Sequence, residues 1–327
     1  DKEELSSMPD RPLDATSGAR LYVFHAGNNN VTVIDTNTNE VVKAATIPEV
    51  KTWAWIDDTN YYDGQNLWTA NMDPDTEEVS IDLLDLNSLK VTKSIPIGKE
   101  KGEAFISKAS TNGQVLVSLL TSGKVVVIDA AEHKVVKRLS ANEIACDVDI
   151  AVLPDGTERV FVPNREADTV QVIDASTQEI ISTVPQPEGS SPWMLAVSPD
   201  SRHLWVQDQK SNTNSILDTI TLETIKRFPT GNIPSMVAFS PDGSQAYTGH
   251  VRDSFVLVTD TNTFEELGRI HLGQNPLFVI FRPDGKYAYA TVSRENSVAV
   301  IDTATQQVVK RIEVRRSPAG VYMLPSN

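Results

Sequence analysis

Five histidines, a single cysteine and a scatter of arginines are what this 327-residue sequence offers to chemistry. His25 and His250 each stand ten residues before an aspartate, Asp35 and Asp260, and Asp208 stands ten before Asp218. Imidazole and carboxylate are donors for several metals, so His25, Asp208 and His250 form a candidate set for a metal ion or a haem iron. No HxH, HExxH or CxxC spacing accompanies them, and ordinary hydrogen bonding at strand ends is the competing reading. A second set is cationic. Arg165, Lys210, Arg252 and Arg294 fall eight or nine residues before equivalent aspartates, with Arg315 and Arg316 nearby. Such an arc would hold a carboxylate or phosphate through bidentate guanidinium contacts. Against this, Arg165-Glu166, Arg252-Asp253 and Arg294-Glu295 place a carboxylate beside each guanidinium, so ion pairing between repeat units would consume the charge. Exposed pairs of that kind add only about 0–1 kcal/mol each.

Trp53, Trp55, Tyr61, Tyr62 and Trp68 concentrate aromatic side chains in a chain that is only 6% aromatic. Together with the distant Trp193 they are candidates for walling a pocket around a flat or sugar-like ligand, Trp55 and Trp193 foremost. Packing in the interior is the alternative for every one of them. The acidic loop Asn71–Glu78 could attract a hard cation, but it lacks the glycine and spacing of a calcium loop. Cys146 reads as a small buried residue. Neither Ser6-Ser7 nor Ser190-Ser191 forms a nucleophile elbow, and no catalytic residue can be assigned from spacing.

The elements that must position these residues repeat. Val33-Ile34-Asp35 returns as Leu83-Leu84-Asp85, Val127-Ile128-Asp129, Val172-Ile173-Asp174, Ile216-Leu217-Asp218, Val258-Thr259-Asp260 and Val300-Ile301-Asp302. A unit of 42 to 50 residues is that of a four-stranded propeller blade. A second signature, an apolar run closed by Pro-Asp-Gly, appears as Pro192–Asp200, Pro234–Gly243 and Pro276–Gly285. Proline fixes φ at the start of that turn and glycine tolerates positive φ at its end. Each unit therefore predicts strands A to D, with A ending at Pro-Asp-Gly and C ending at the aspartate turn. The expected fold is all-β: a seven-bladed propeller over residues 19–327, preceded by a tail at 1–18. The first unit lacks its own strand A and the last has one strand too many, so residues 317–325 are expected to pair with Leu21–Phe24 and close the ring.

These units, and Asn164–Asp174 above all, resemble the YVTN-type β-propeller repeat. That repeat is similar in turn to lactonase-like propellers and to the haem-binding propeller of dissimilatory nitrite reductases. The resemblance implies a fold and leaves activity open. It adds two alternatives to a plain binding propeller: handling of a haem-like tetrapyrrole or metal, and lactone hydrolysis. For the latter, His25 or His250 with Arg165 or Arg252 is the only base and arginine set available.

Any site is expected on the face carrying the variable B–C and D–A loops, at the mouth of the central channel. The favoured reading is a non-enzymatic protein that binds a protein partner or a small anionic or aromatic ligand there, through His25, Arg165, Asp208, Lys210, His250, Arg252, Arg294, Trp55 and Trp193. A net charge of −15 disfavours nucleic acid as a partner. No apolar run reaches the roughly 18 residues of a membrane span. The charged opening Asp1–Gly18 reads as the start of an exported chain after signal removal, so a periplasmic or extracellular location is expected.

Overall fold

A computed structural model describes residues 8–324 other than 14–17, 54, 58, 142 and 143. Seven antiparallel sheets form the seven blades, six of four strands and one of three. The aspartates behave as their position requires. Asp174 Oδ1 accepts the backbone amides of Ser176 and Thr177, and Asp218 and Asp260 hold their turns in the same way. A residue in the left-handed region then releases the chain into strand D, among them Gln178 (φ 57°) and Gln306 (φ 54°). Only short polar side chains can satisfy two amides of so tight a turn, which is why the aspartate recurs.

Closure follows the expected route. Strand Pro318–Leu324 pairs with Arg20–His25 from Arg20↔Leu324 to His25↔Pro318, completing blade 1 as the order Pro318–Leu324, Arg20–His25, Asn30–Asp35, Glu40–Thr46. Blade 2 is the irregular one. Its sheet has strands Asn66–Met72, Glu78–Asp85 and Lys90–Lys99. In place of strand A, the segment before that sheet meets it at the bridges Trp53↔Asn71 and Tyr62↔Leu67, with the Trp68 amide donating to Tyr61 O at 2.8 Å. At the turn, this unit has Tyr62-Asp63-Gly64 where others have Pro-Asp-Gly, keeping the turn without its proline.

Strands B and C are buried on both faces, and apolar clusters fill the spaces between blades. The third residue of strand B is a large aromatic in five blades: Tyr22, Trp68, Trp205, Tyr247 and Tyr289, none more than 2% exposed. Tyr22 donates its hydroxyl to Leu86 O at 2.8 Å and Tyr289 to Asn39 Oδ1 at 2.7 Å, each reaching the next blade. Trp68, one of the aromatics that sequence reading gathered around a pocket, thus serves blade packing. Of the tail, residues 8–13 lie along the outer strand of blade 1, while Ser6 and Ser7 fall outside the described residues.

Candidate functional site

His25, Asp208 and His250 occupy the last position of strand B in blades 1, 5 and 6, and all three are fully buried. The second strand of a blade stands behind the innermost one, so these side chains do not face the channel. Nδ1 of His25 donates to Arg316 O at 3.0 Å, and Nε2 accepts from Thr32 Oγ1 at 2.9 Å. In His250, Nε2 accepts the Gly231 amide at 2.9 Å, which requires the Nδ1–H tautomer donating to Phe255 O at 3.2 Å. Burial pushes both imidazoles down to about 4. Asp208 accepts from Ser215 Oγ and from Thr213 Oγ1, and burial raises its carboxyl. Among the described residues no group of three or more His, Cys, Asp or Glu side chains is placed to share a metal ion. The structure does not bring the expected metal set together: His25, Asp208 and His250 lie in three different blades, each with its own hydrogen-bond partners.

The equivalent position in blade 2 is displaced. Ten residues before Asp85 stands Asp75, but the register pairs Asn71 with Ser80. Asn71 is thus the counterpart of His25, because the B–C connection of that blade is longer. Asp73 and its neighbours form a self-contained turn, with Asp73 Oδ1 accepting the amides of Asp75 and Thr76.

The cationic set separates into two places. Arg252 and Arg294, on the B–C loops of blades 6 and 7, are exposed and line one cavity of about 480 Å³ with Asp253, Ser254, Gln274 and Asn275. Among the described residues, neither guanidinium forms an ion pair. The carboxylates expected to neutralise them are engaged elsewhere. Asp253 accepts the amide and side chain of Asn232, and Glu295 accepts the Gln274 amide at 3.0 Å and pairs with Arg311 at 3.3 Å. Asp168 in blade 4 likewise accepts Gly189 N and Ser191 N. These acidic side chains latch B–C loops to adjoining D–A loops, Asp253 and Glu295 to the loop that enters their own blade and Asp168 to the loop that leaves it, a backbone role that sequence spacing could not distinguish from ion pairing.

Arg165 takes the second place. Its guanidinium lies 4.6 Å from the Trp193 ring centroid and donates to Ser191 Oγ at 3.2 Å and Gln209 Oε1 at 3.3 Å. Lys210 is exposed on the neighbouring loop and lines no cavity with the arginines. Arg315 is only 3% exposed and donates to Asn30 Oδ1 at 2.8 Å, so it belongs to the packing of blade 1.

Trp55 projects from the irregular segment of blade 2 onto Phe105 of blade 3, at 5.9 Å between ring centroids, and onto Phe278 of blade 7, at 4.6 Å. Blades 3 and 7 are not neighbours in the ring, so one indole reaching both must lie across the channel. Its Nε1 is buried without a protein partner. Asp57, Asp147 and Asp149 are each at most 3% exposed. Asp147 accepts the Leu195 amide at 2.9 Å and Asp149 the Val197 amide at 2.8 Å, tying blade 4 to blade 5. Burial, and then the nearby Asp57 charge, hold the Asp147 carboxyl well above the usual range. Half-buried Glu103, at the entry to strand A of blade 3, is likewise raised by burial. None of these acids was singled out by the sequence, because residues of strand A in blades 2 to 4 depart from the repeat. Cys146 is fully buried, and its thiol is pushed up by that burial.

A cavity of about 650 Å³ lies on the opposite face between the Pro-Asp-Gly turns of blades 6 and 7. A similar one of about 620 Å³ sits between blades 5 and 6. A groove that recurs with the repeat is a product of the repeat, whereas the cavity at Arg252 and Arg294 is built from loops that vary.

No protein-family profile matches the chain. Among curated proteins it is similar to YncE, an uncharacterized protein of Salmonella typhi, with 26% identity over 218 residues, or 64% of this chain. The match spans 57% of that relative's own length. Among solved structures, the periplasmic gluconolactonase PpgL of Pseudomonas aeruginosa superposes with a TM-score of 0.76 at 16% identity, covering 95% of this chain and all of that one. The dihydro-heme d1 dehydrogenase NirN gives 0.66 at 19% identity, over 97% of this chain and 78% of its own. Hydrazine synthase of Kuenenia stuttgartiensis gives 0.69 at 17%, over 86% and 94%. Similarity at these identities is similarity of fold, which hosts unrelated chemistries. The chain is a seven-bladed β-propeller, similar in fold to the gluconolactonase and NirN propellers.

Proposed function

We propose that this propeller is a non-enzymatic binding protein that holds a small anion, a carboxylate or phosphate, on its B–C/D–A loop face between blades 6 and 7. The observation that carries the reading is the cavity of about 480 Å³ lined by Arg252 and Arg294, whose neighbouring carboxylates are already committed to backbone amides. Two guanidinium groups in one concave site suit bidentate anion recognition. They do so against a net charge of −15, which makes a local basic site selective by contrast. The Arg165 and Trp193 stack offers a separate contact for the flat part of a ligand or for a protein partner. A hydrolytic role would need a base at the mouth, and both candidate histidines are buried with both ring nitrogens engaged. A periplasmic or extracellular location belongs to the same proposal, on the strength of the likeness to a periplasmic propeller.

Titration with inorganic phosphate and with citrate, read by thermal shift and calorimetry, tests the site. Stabilisation that is lost in the R252Q/R294Q double variant supports it. Stabilisation unchanged by the double substitution, or none at millimolar ligand, sinks it. Turnover of gluconolactone that disappears in the same variant would replace binding with hydrolysis.

A further inference from the structure

Strand D of every blade carries a bulge at one position. In blade 1 the register steps from Val33↔Lys43 to Ile34↔Val41, leaving Val42 unpaired. The same step leaves Val136 unpaired in blade 3, Ile225 in blade 5 and Val309 in blade 7. In each of these a lysine follows the bulged aliphatic residue, as Lys43 follows Val42: Lys137, Lys226 and Lys310. Yet Val42 is 3% exposed, while Val136, Ile225 and Val309 are 53%, 46% and 55% exposed.

The difference is what covers blade 1. Residues 10–13 run antiparallel along its outer edge through the bridge Asp10↔Lys43. The Arg11 amide donates to Val42 O at 2.9 Å, Lys43 Nζ meets Asp10 Oδ1 at 2.6 Å, and Leu13, 4% exposed, enters the apolar cluster that contains Val42. Pro12 has no amide to donate, so the added edge is short. The chain thus shows, on its own blade 1, how an outer edge accepts a strand: one backbone bond at the bulge, one carboxylate on the lysine, one leucine over the aliphatic.

We propose that the outer edges of blades 3, 5 and 7 are docking sites for an extended segment of a partner protein that presents an acidic residue followed three positions later by leucine, seated as residues 10–13 are on blade 1. The backbone bonding is that of β-strand addition, with specificity from the side-chain pair. Edge strands left with aliphatic residues outward are otherwise an association hazard. The lysines now donate to carbonyls of the next blade, Lys137 to Gln178 O at 2.8 Å, Lys226 to Thr263 O at 3.0 Å and Lys310 to Thr38 O at 3.3 Å. An ammonium carries three donors, so each can take a carboxylate without giving up that contact.

The test uses the full chain, labelled on Ile, Leu and Val methyl groups, and a synthetic peptide of the sequence Ser7 to Thr16. The expected result is a saturable shift of the Val136, Ile225 and Val309 methyl signals. Binding should weaken by about tenfold or more when the peptide carries asparagine for its first aspartate or serine for its leucine. No shift at those methyls at millimolar peptide overturns the proposal, as does a shift confined to Val42, which would mean only exchange with the resident segment. Shifts at the three edges that follow protein concentration without peptide would make the occupant a second copy of this chain and overturn the assignment to a partner. The peptide variants leave the propeller unaltered, so misfolding cannot mimic either result, and the edges lie apart from the anion site.

Discussion

Trp55 and Phe278 meet with ring centroids 4.6 Å apart, although they come from blades 2 and 7 and blade 1 stands between them. The contact makes the irregular segment of blade 2 a crosspiece of the ring. Replacing Trp55 by alanine removes a half-buried indole from two clusters at once, and is expected to destabilise the fold by about 2–3 kcal/mol, below the range for a fully buried tryptophan. W55F keeps the ring contacts and discards an Nε1 that has no protein partner, so it should stay within about 1 kcal/mol of the parent. Urea unfolding of the two variants measures the difference, and equal losses would mean that the indole nitrogen matters more than the ring.

The buried histidines predict an acid limb of stability. In the fold, His25 and His250 stay neutral down to about pH 4, whereas in the unfolded chain they take up protons from about 6.5. Their contribution is therefore present above 6.5 and lost as pH falls towards 4, by about 3 kcal/mol for each histidine. Asp147 and Asp208, whose carboxyls are raised by burial, take up protons in the folded state before they do in the unfolded chain, so they act in the opposite sense as pH falls. Denaturant midpoints between pH 7 and 4.5 should fall less steeply in H250Q than in the parent, whatever the absolute stability of the variant.

Ring closure can be tested by truncation after Arg316. The strand it removes buries Val321, Met323 and Leu324, at 0%, 7% and 8% exposure, worth about 5 kcal/mol together. It also uncovers the edge of Arg20–His25. The truncated chain should melt more than roughly 10 °C lower and associate on heating. A melting curve that overlays the parent's would contradict the closure.

Two glycines on one blade separate backbone crowding from strand preference. A Cβ on Gly249 would sit 2.5 Å from Leu277 O and 3.0 Å from Pro276 O, backbone atoms of the next blade that cannot turn aside. G249A should cost about 2–3 kcal/mol. On Gly268 the only close group is the end of the Gln306 side chain, so G268A should lie within about 0.5 kcal/mol of the parent.

Cys146 should resist thiol reagents in the native protein, since it is fully buried and its thiolate is disfavoured there. Labelling should appear only with unfolding, and modification by iodoacetamide at neutral pH without denaturant would contradict the burial.

Much of this architecture was legible in the sequence, because Asp174, Asp218 and Asp260 each do the same local job with two backbone amides and so recur at a fixed interval. The closing strand was legible for the same reason, as a surplus strand-A pattern after a unit already complete. The site was much less so. Spacing gave Arg252 and Arg294 the same ring position, but it could not tell whether Asp253 and Glu295 would turn to the guanidinium groups or to the amides of Asn232 and Gln274. Counting along the chain placed His25 and His250 in equivalent positions without revealing that the second strand of a blade looks into packed interior. A constant count of ten falls on Asp75 in blade 2, where the longer loop leaves Asn71 in the ring position. The local run of aromatic residues marks Trp55 without revealing its partners Phe105 and Phe278, and no local pattern marks Asp57, which lies near Asp147 of blade 4.

The indole laid across the ring also joins parts of the molecule that the order of blades keeps apart. Trp55 touches Phe105 and Phe278, so one side chain from blade 2 bears on blades 3 and 7 together. A disturbance that moves Trp55 is felt at both without passing through blade 1.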